Sequence, residues 1–159
     1  MKDFVPELIK VGTIDQAPRE HQECLKQAQI YLDYAYAPYS NFKVGASTLL
    51  NDGSMYGGAN QENASYPLCM CAERVSLYHM AMTQKVFEIE CMAITAKHRR
   101  NKLIKPAMPC GACRQVILEY ESRNPRPIMI YLINDDGVVY KVDSVRFLLP
   151  FTFDPSILL

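Results

Sequence analysis

Cys71-Ala72-Glu73-Arg74, read together with Pro109-Cys110-Gly111-Ala112-Cys113, is the stretch around which this chain is organised. A cysteine with a glutamate two residues on, and a C-x-x-C directly after a proline, supply three thiolate ligands and a separate carboxylate. Cys110 and Cys113 stand at i and i+3 of a helix that Pro109 is well placed to open. Both thiols therefore face one side, where the peptide dipoles favour their ionised form. Cys71 also falls at a predicted helix start. The expected fold is one that carries these two helix starts to facing positions across a sheet, so that one metal ion joins them.

Outward from the motifs, Cys71 to Met82 reads as a helix and Ile89 to Ala96 as a compact apolar strand. Lys97 to Lys105 is basic and loop-like, and the next helix runs from about Cys110 to Glu121. Pro125 and Pro127 end the connection, Ile128 to Ile133 is a strand, and Asn134-Asp135-Asp136-Gly137 turns the chain into Val138 to Val142. Toward the N-terminus, Leu25, Ala28, Leu32 and Ala35 mark one face of a helix over Arg19 to Tyr36, which Pro38 ends. Phe42 to Leu50 suits a strand, Asn51-Asp52-Gly53 a turn, and Ser54 to Tyr56 the start of a return strand. Gly57 and Gly58 then release the chain into an irregular stretch from Ala59 to Leu68. Alternating helices and strands bury their apolar faces most simply in layers. The expected class is α/β, a three-layer α/β/α sandwich around a mixed sheet of about five strands. Residues 1–18 read as an N-terminal extension packed on the domain and residues 19–159 as a single catalytic domain.

At 159 residues the chain fits one domain with a real core. Seventeen basic residues balance seventeen acidic ones, which excludes a general polyanion binder, so nucleic acid is not an expected partner. The short run Lys97-His98-Arg99-Arg100 reads as a solvated loop. No run reaches membrane-spanning length without charge, so no membrane partner is expected. Six cysteines follow no apolar signal segment, which favours reduced thiols in the cytoplasm.

Thiolates are strong zinc ligands, and three of them leave one of the tetrahedral positions to water, whose pKa the metal lowers. Glu73, beside a ligand, is suited to carry a proton from that water to a substrate nitrogen and then to a leaving amine. Three thiolates leave the site anionic, and Arg74 offsets this by donating hydrogen bonds to ligand sulfur. Two blander readings stand beside this one. The cysteines are unliganded or partly a redox pair, or Cys69 joins them in a four-thiolate structural site, although its spacing from Cys71 is poor and Glu73 then has no task. Cys24 and Cys91 read as small core residues, and His21, His79 and His98 as surface or packing residues.

The chain resembles the cytidine deaminases of the small, three-cysteine, homotetrameric group. The resemblance rests on Tyr36-Ala37-Pro38-Tyr39-Ser40-Asn41-Phe42-Lys43-Val44-Gly45-Ala46, Asn60-Gln61-Glu62-Asn63-Ala64-Ser65-Tyr66-Pro67, both cysteine motifs, and Leu148-Leu149-Pro150 followed by Phe153. It implies one Zn²⁺ per subunit and hydrolysis of cytidine and 2'-deoxycytidine to uridine and 2'-deoxyuridine plus ammonia, in pyrimidine salvage. By the same resemblance Glu73 is catalytic, Cys71, Cys110 and Cys113 hold the metal, and Phe42 lies against the pyrimidine. Asn60 and Glu62 bind the sugar hydroxyl, and the backbone at Ala72 and Cys110 meets the base. Tyr66 and Phe153 complete sites across subunit boundaries of a homotetramer. An amide and a carboxylate one residue apart can converge on a hydroxyl, and an aromatic ring supplies a flat apolar wall, so the residue chemistry agrees. Met108, Ala59 and the segment from Lys97 to Met108 depart from the group's common pattern. Deamination of another free base, nucleoside or nucleoside analogue, nucleic-acid editing, and a noncatalytic zinc-stabilised interaction protein are the alternative readings.

Overall fold

Three helices and six strands make up the regular structure in the computed structural model, which describes residues 8–158. The strands are β1 (Ile9–Gly12), β2 (Phe42–Leu50), β3 (Met55–Ala59), β4 (Ile89–His98), β5 (Met129–Ile133) and β6 (Val139–Val142). The helices are α1 (Arg19–Ile30), α2 (Ala72–Thr83) and α3 (Gly111–Ser122). The sheet order is β1-β6-β5-β4-β2-β3, with β4 and β5 parallel and every other neighbouring pair antiparallel.

Side-chain alternation sorts the sheet into two buried faces. Cys91 and Ala93 of β4, with Tyr131 and Ile133 of β5, pack against Cys24, Leu25 and Ala28 of α1. Met92, Ile94, Ile130 and Leu132, the intervening residues, pack against Leu77 and Met80 of α2 and Ile117 and Leu118 of α3. The result is the expected α/β/α sandwich, with Cys24 and Cys91 in its core.

The sheet has six strands rather than about five. The extra strand is β1, which lies within the expected extension and pairs antiparallel with β6 through a bulge between Lys10 and Gly12. Four residues are too few to carry a periodic signal; the open edge of β6 specifies the strand. Residues 1–7 of that extension lie outside the described residues.

Helix α1 stops at Ile30 and a 3₁₀ turn, Tyr31–Tyr34, follows, so the helix does not reach Tyr36. The Tyr36 backbone is taken by a loop: its N–H donates to Asn60 O and its carbonyl accepts from Glu62 N. Strand β3 also runs through Gly57 and Gly58, where the sequence suggested release into a loop. A Cβ at Gly57 would fall on the Tyr31 ring, and one at Gly58 would lie 2.3 Å from Ala72 O and 2.4 Å from Ser76 N. These glycines let helix backbone and aromatic ring sit directly on the strand.

Candidate metal centre

Strand β2 is antiparallel to both β3 and β4, so β3 and β4 run the same way and end at the same edge of the sheet. The helices that follow them in sequence, α2 and α3, consequently begin side by side. This topology, more than any local preference, brings Cys71 to Cys110. Cys71 is the N-cap of α2, Cys110 the N-cap of α3, and Cys113 lies in the first turn of α3.

The Cys71 and Cys110 sulfurs are 3.9 Å apart, those of Cys110 and Cys113 3.5 Å, and all three lie within 4.8 Å of one another. Cys69 is outside this group; its thiol donates to Asn63 O and accepts from Asn63 N, so the four-thiolate arrangement is not built. An Arg74 Nη2 donates to Cys71 Sγ at 3.5 Å, while its Nε is buried with no hydrogen-bond partner among the described residues. Hydrogen bonding with Cys113, opposed by burial and reinforced by the Arg74 cation, holds the Cys71 thiol down at about 5. The same Cys71 contact, together with burial, pushes the Cys113 thiol up. Glu73 is only 5% exposed, and burial first, with the neighbouring Cys71 charge, raises its carboxyl above the ordinary range.

Beside the sulfurs lies a cavity of about 420 Å³ whose walls include Phe42, Asn60, Glu62, Cys71, Glu73 and Cys110. That volume suits a small molecule. Asn60 accepts from Val44 N at 2.8 Å and donates to Phe42 O at 2.9 Å, bracing the start of β2. Glu62 accepts from Tyr39 N at 2.9 Å, from Ser40 N at 3.3 Å and from the Ser40 hydroxyl. Burial opposes ionisation of Glu62, but these donors outweigh it and hold the carboxyl below its usual range. Both residues therefore shape the wall that carries Phe42 as well as facing the cavity.

Tyr66 and Phe153 do not line this cavity. Tyr66 is 68% exposed and borders a neighbouring hollow with Tyr39, Ser40, Glu62 and Cys69; Phe153 is 59% exposed, its carbonyl held by Gln115. Ala72 is fully buried beneath Gly58. The sequence reading did not single out Ser40, Val44, Met70, Ile94 or Ala107, which also line the cavity. Of these only Ser40 carried a signal, its place in a Pro-Tyr-Ser-Asn turn.

Residues 18–126 match the family model described as the cytidine and deoxycytidylate deaminase zinc-binding region. The chain belongs to the cytidine and deoxycytidylate deaminase family. Among this deaminase family's members, a cytidine deaminase of Halalkalibacterium halodurans is 40% identical over 84% of this chain and 94% of its own. One from Sporosarcina psychrophila is 38% identical over 76% and 82%. The crystal structure of a cytidine deaminase from Burkholderia pseudomallei superposes with a TM-score of 0.72 at 38% identity, covering 84% of this chain and 98% of that one.

The donors of this deaminase fit zinc. Three sulfurs converge at two helix N-termini, Arg74 stands against one of them with a spare buried N–H, and one thiol is already held in its ionised form. The cofactor is one zinc ion per subunit. Among the described residues no helix is long and apolar enough to cross a membrane.

Proposed function

We propose that this protein catalyses the zinc-dependent hydrolytic deamination of cytidine and 2'-deoxycytidine, releasing uridine or 2'-deoxyuridine and ammonia, as a step of pyrimidine salvage. The observation that carries this reading is the buried carboxyl of Glu73 lining the same cavity as Cys71 and Cys110. A carboxyl in that position, together with a metal-ligating cluster, is an acid/base group aimed at a bound substrate.

Cys71, Cys110 and Cys113 hold the zinc, which when bound supplies Lewis acidity that makes water nucleophilic near neutral pH. Glu73 takes the proton of the attacking water and delivers it to the ring nitrogen; it then moves a proton to the leaving amine. Burial suits it to the task, because a carboxyl raised toward neutrality gives up and regains a proton at small cost. Arg74 draws charge from Cys71 sulfur and keeps the cluster from becoming too electron-rich. Phe42 forms a flat wall for the pyrimidine, and Asn60 and Glu62 face the sugar hydroxyls. Their hydrogen bonds to β2 and to the loop at 39–40 hold that wall in place.

Residues 19–159 form the catalytic domain in this reading, with residues 1–18 as an extension. The exposed Tyr66, Phe151 and Phe153 support a homotetramer in which Tyr66 and Phe153 close the sites of neighbouring subunits, and the backbone at Ala72 contacts the base. Three free thiols that must stay reduced favour the cytoplasm. The test is a zinc-quantified assay of ammonia release from cytidine, deoxycytidine, cytosine, adenosine, guanine and single-stranded oligonucleotides. Release confined to the first two is expected; rapid release from any other substrate, or from none, contradicts the assignment.

A further inference from the structure

Behind the catalytic cavity, at the same ends of β2 and β4, lies a second cleft of about 530 Å³ lined by Ala37, Asn41, Lys43, Lys97, His98 and Arg99. Among the described residues no carboxylate lines it. Lys43 and Lys97 are direct cross-strand partners in the antiparallel register, an arrangement in which like charges destabilise a sheet. Arg99 follows two residues after Lys97, its backbone N–H donating to Asn41 O. Asn41 itself is held at φ 57°, in the left-handed region. Among the described residues, Lys102 is neutralised by Asp136, whereas no ion pair reaches Lys43, Lys97 or Arg99. His98 Nδ1 accepts from Arg100 N and Asn101 N, both at 3.0 Å, which leaves Nε2–H as the ring's donor.

The chain as a whole carries no net charge, so three cations that no ion pair among the described residues compensates are a local concentration around one cleft, not a consequence of a basic protein. A sheet that holds like charges opposite each other breaks a pairing rule, and functional sites are where such breaks are tolerated. We infer that this cleft binds the phosphate chain of a nucleoside di- or triphosphate. Three cations match a multiply charged chain. A polynucleotide fits less well: the cations are confined to one cleft, and no Phe, Tyr or Trp lines it to offer stacking for successive bases. Phe42 lies between Asn41 and Lys43 in sequence and packs on His98 with ring centroids 6.4 Å apart. The second cleft thus shares its floor with the wall of the first.

The test is calorimetric titration of the zinc-loaded protein with inorganic tripolyphosphate and with a nucleoside triphosphate, at about physiological ionic strength and with sulfate as the control anion. Saturable binding of tripolyphosphate that is weakened at least about tenfold in Lys43→Gln/Lys97→Gln, with sulfate not binding, supports the site. Tighter binding of the nucleoside triphosphate than of tripolyphosphate supports it and adds a contact to the nucleoside. Binding equally tight in the double variant, or none in the unsubstituted protein, overturns it. Oligonucleotide binding that tripolyphosphate does not displace also overturns it. The variant serves because relief of the cross-strand repulsion leaves its unfolding midpoint equal or higher, with zinc content unchanged.

Discussion

At the scale of single residues, the chemistry rests on how neighbours divide charge between the thiols. Cys71 is held ionised down to about pH 5, whereas Cys113 is pushed up and keeps its proton through neutrality in the metal-free chain. Zinc must displace that proton, so its apparent affinity falls as pH falls, by at least about tenfold per pH unit below neutrality. Competition with a chelator across that range measures it; a flat profile contradicts it. Arg74→Ala leaves the Cys71 sulfur more electron-rich, so the acidic limb of the pH–rate profile moves to higher pH, with activity lower by about 10–100-fold below it. Zinc content at saturating metal stays near one per chain; an unmoved limb removes Arg74 from this role. The meeting of Cys71, Cys110 and Cys113, with Glu73 beside them, was legible in the sequence because residue type and spacing alone mark such a cluster. The bracing of Phe42 by Asn60 was not, because a side chain bonded to the backbone of a distant strand leaves no periodic trace.

At the scale of elements, the site depends on α2 lying directly on β3. Gly58 makes that approach possible, and a Cβ there meets the Ala72 carbonyl and the Ser76 amide, both backbone atoms that cannot swing aside. Gly58→Ala therefore lowers stability by about 1–3 kcal/mol and displaces the start of α2, which carries Cys71. Denaturant unfolding and zinc stoichiometry check this together; a variant with unchanged midpoint and full zinc contradicts it. Glycines read in isolation suggest a loop, as Gly57-Gly58 does. Only the packing of another element against the strand reveals them as the place where backbone meets backbone. Helix α1 makes the same point, since its apolar pattern extends to Ala35 although the loop at 60–62 claims the backbone of Tyr36.

For the whole molecule, the succession of helices and strands along the chain was enough to foresee three layers, because apolar strands must find helices to cover them, as both faces of β4 and β5 do. The sixth strand escaped because it is defined by the edge it covers and not by its own four residues. Tyr66, which borders the hollow beside the cavity, and Phe151 and Phe153 are large aromatic residues that the single chain leaves exposed. The homotetramer proposed above would cover them, and sedimentation combined with turnover on dilution is then expected to show activity falling as tetramer dissociates; full activity in a monomer contradicts the shared site. The central claim joins three thiols, one zinc and the Glu73 carboxyl in a single reaction. Its most direct test is ammonia release from cytidine by the unsubstituted protein and by Glu73→Gln, each with measured zinc. The expected result is one zinc per chain in both and turnover in the unsubstituted protein alone, while near-normal turnover by Glu73→Gln, or none by the zinc-loaded unsubstituted protein, contradicts it.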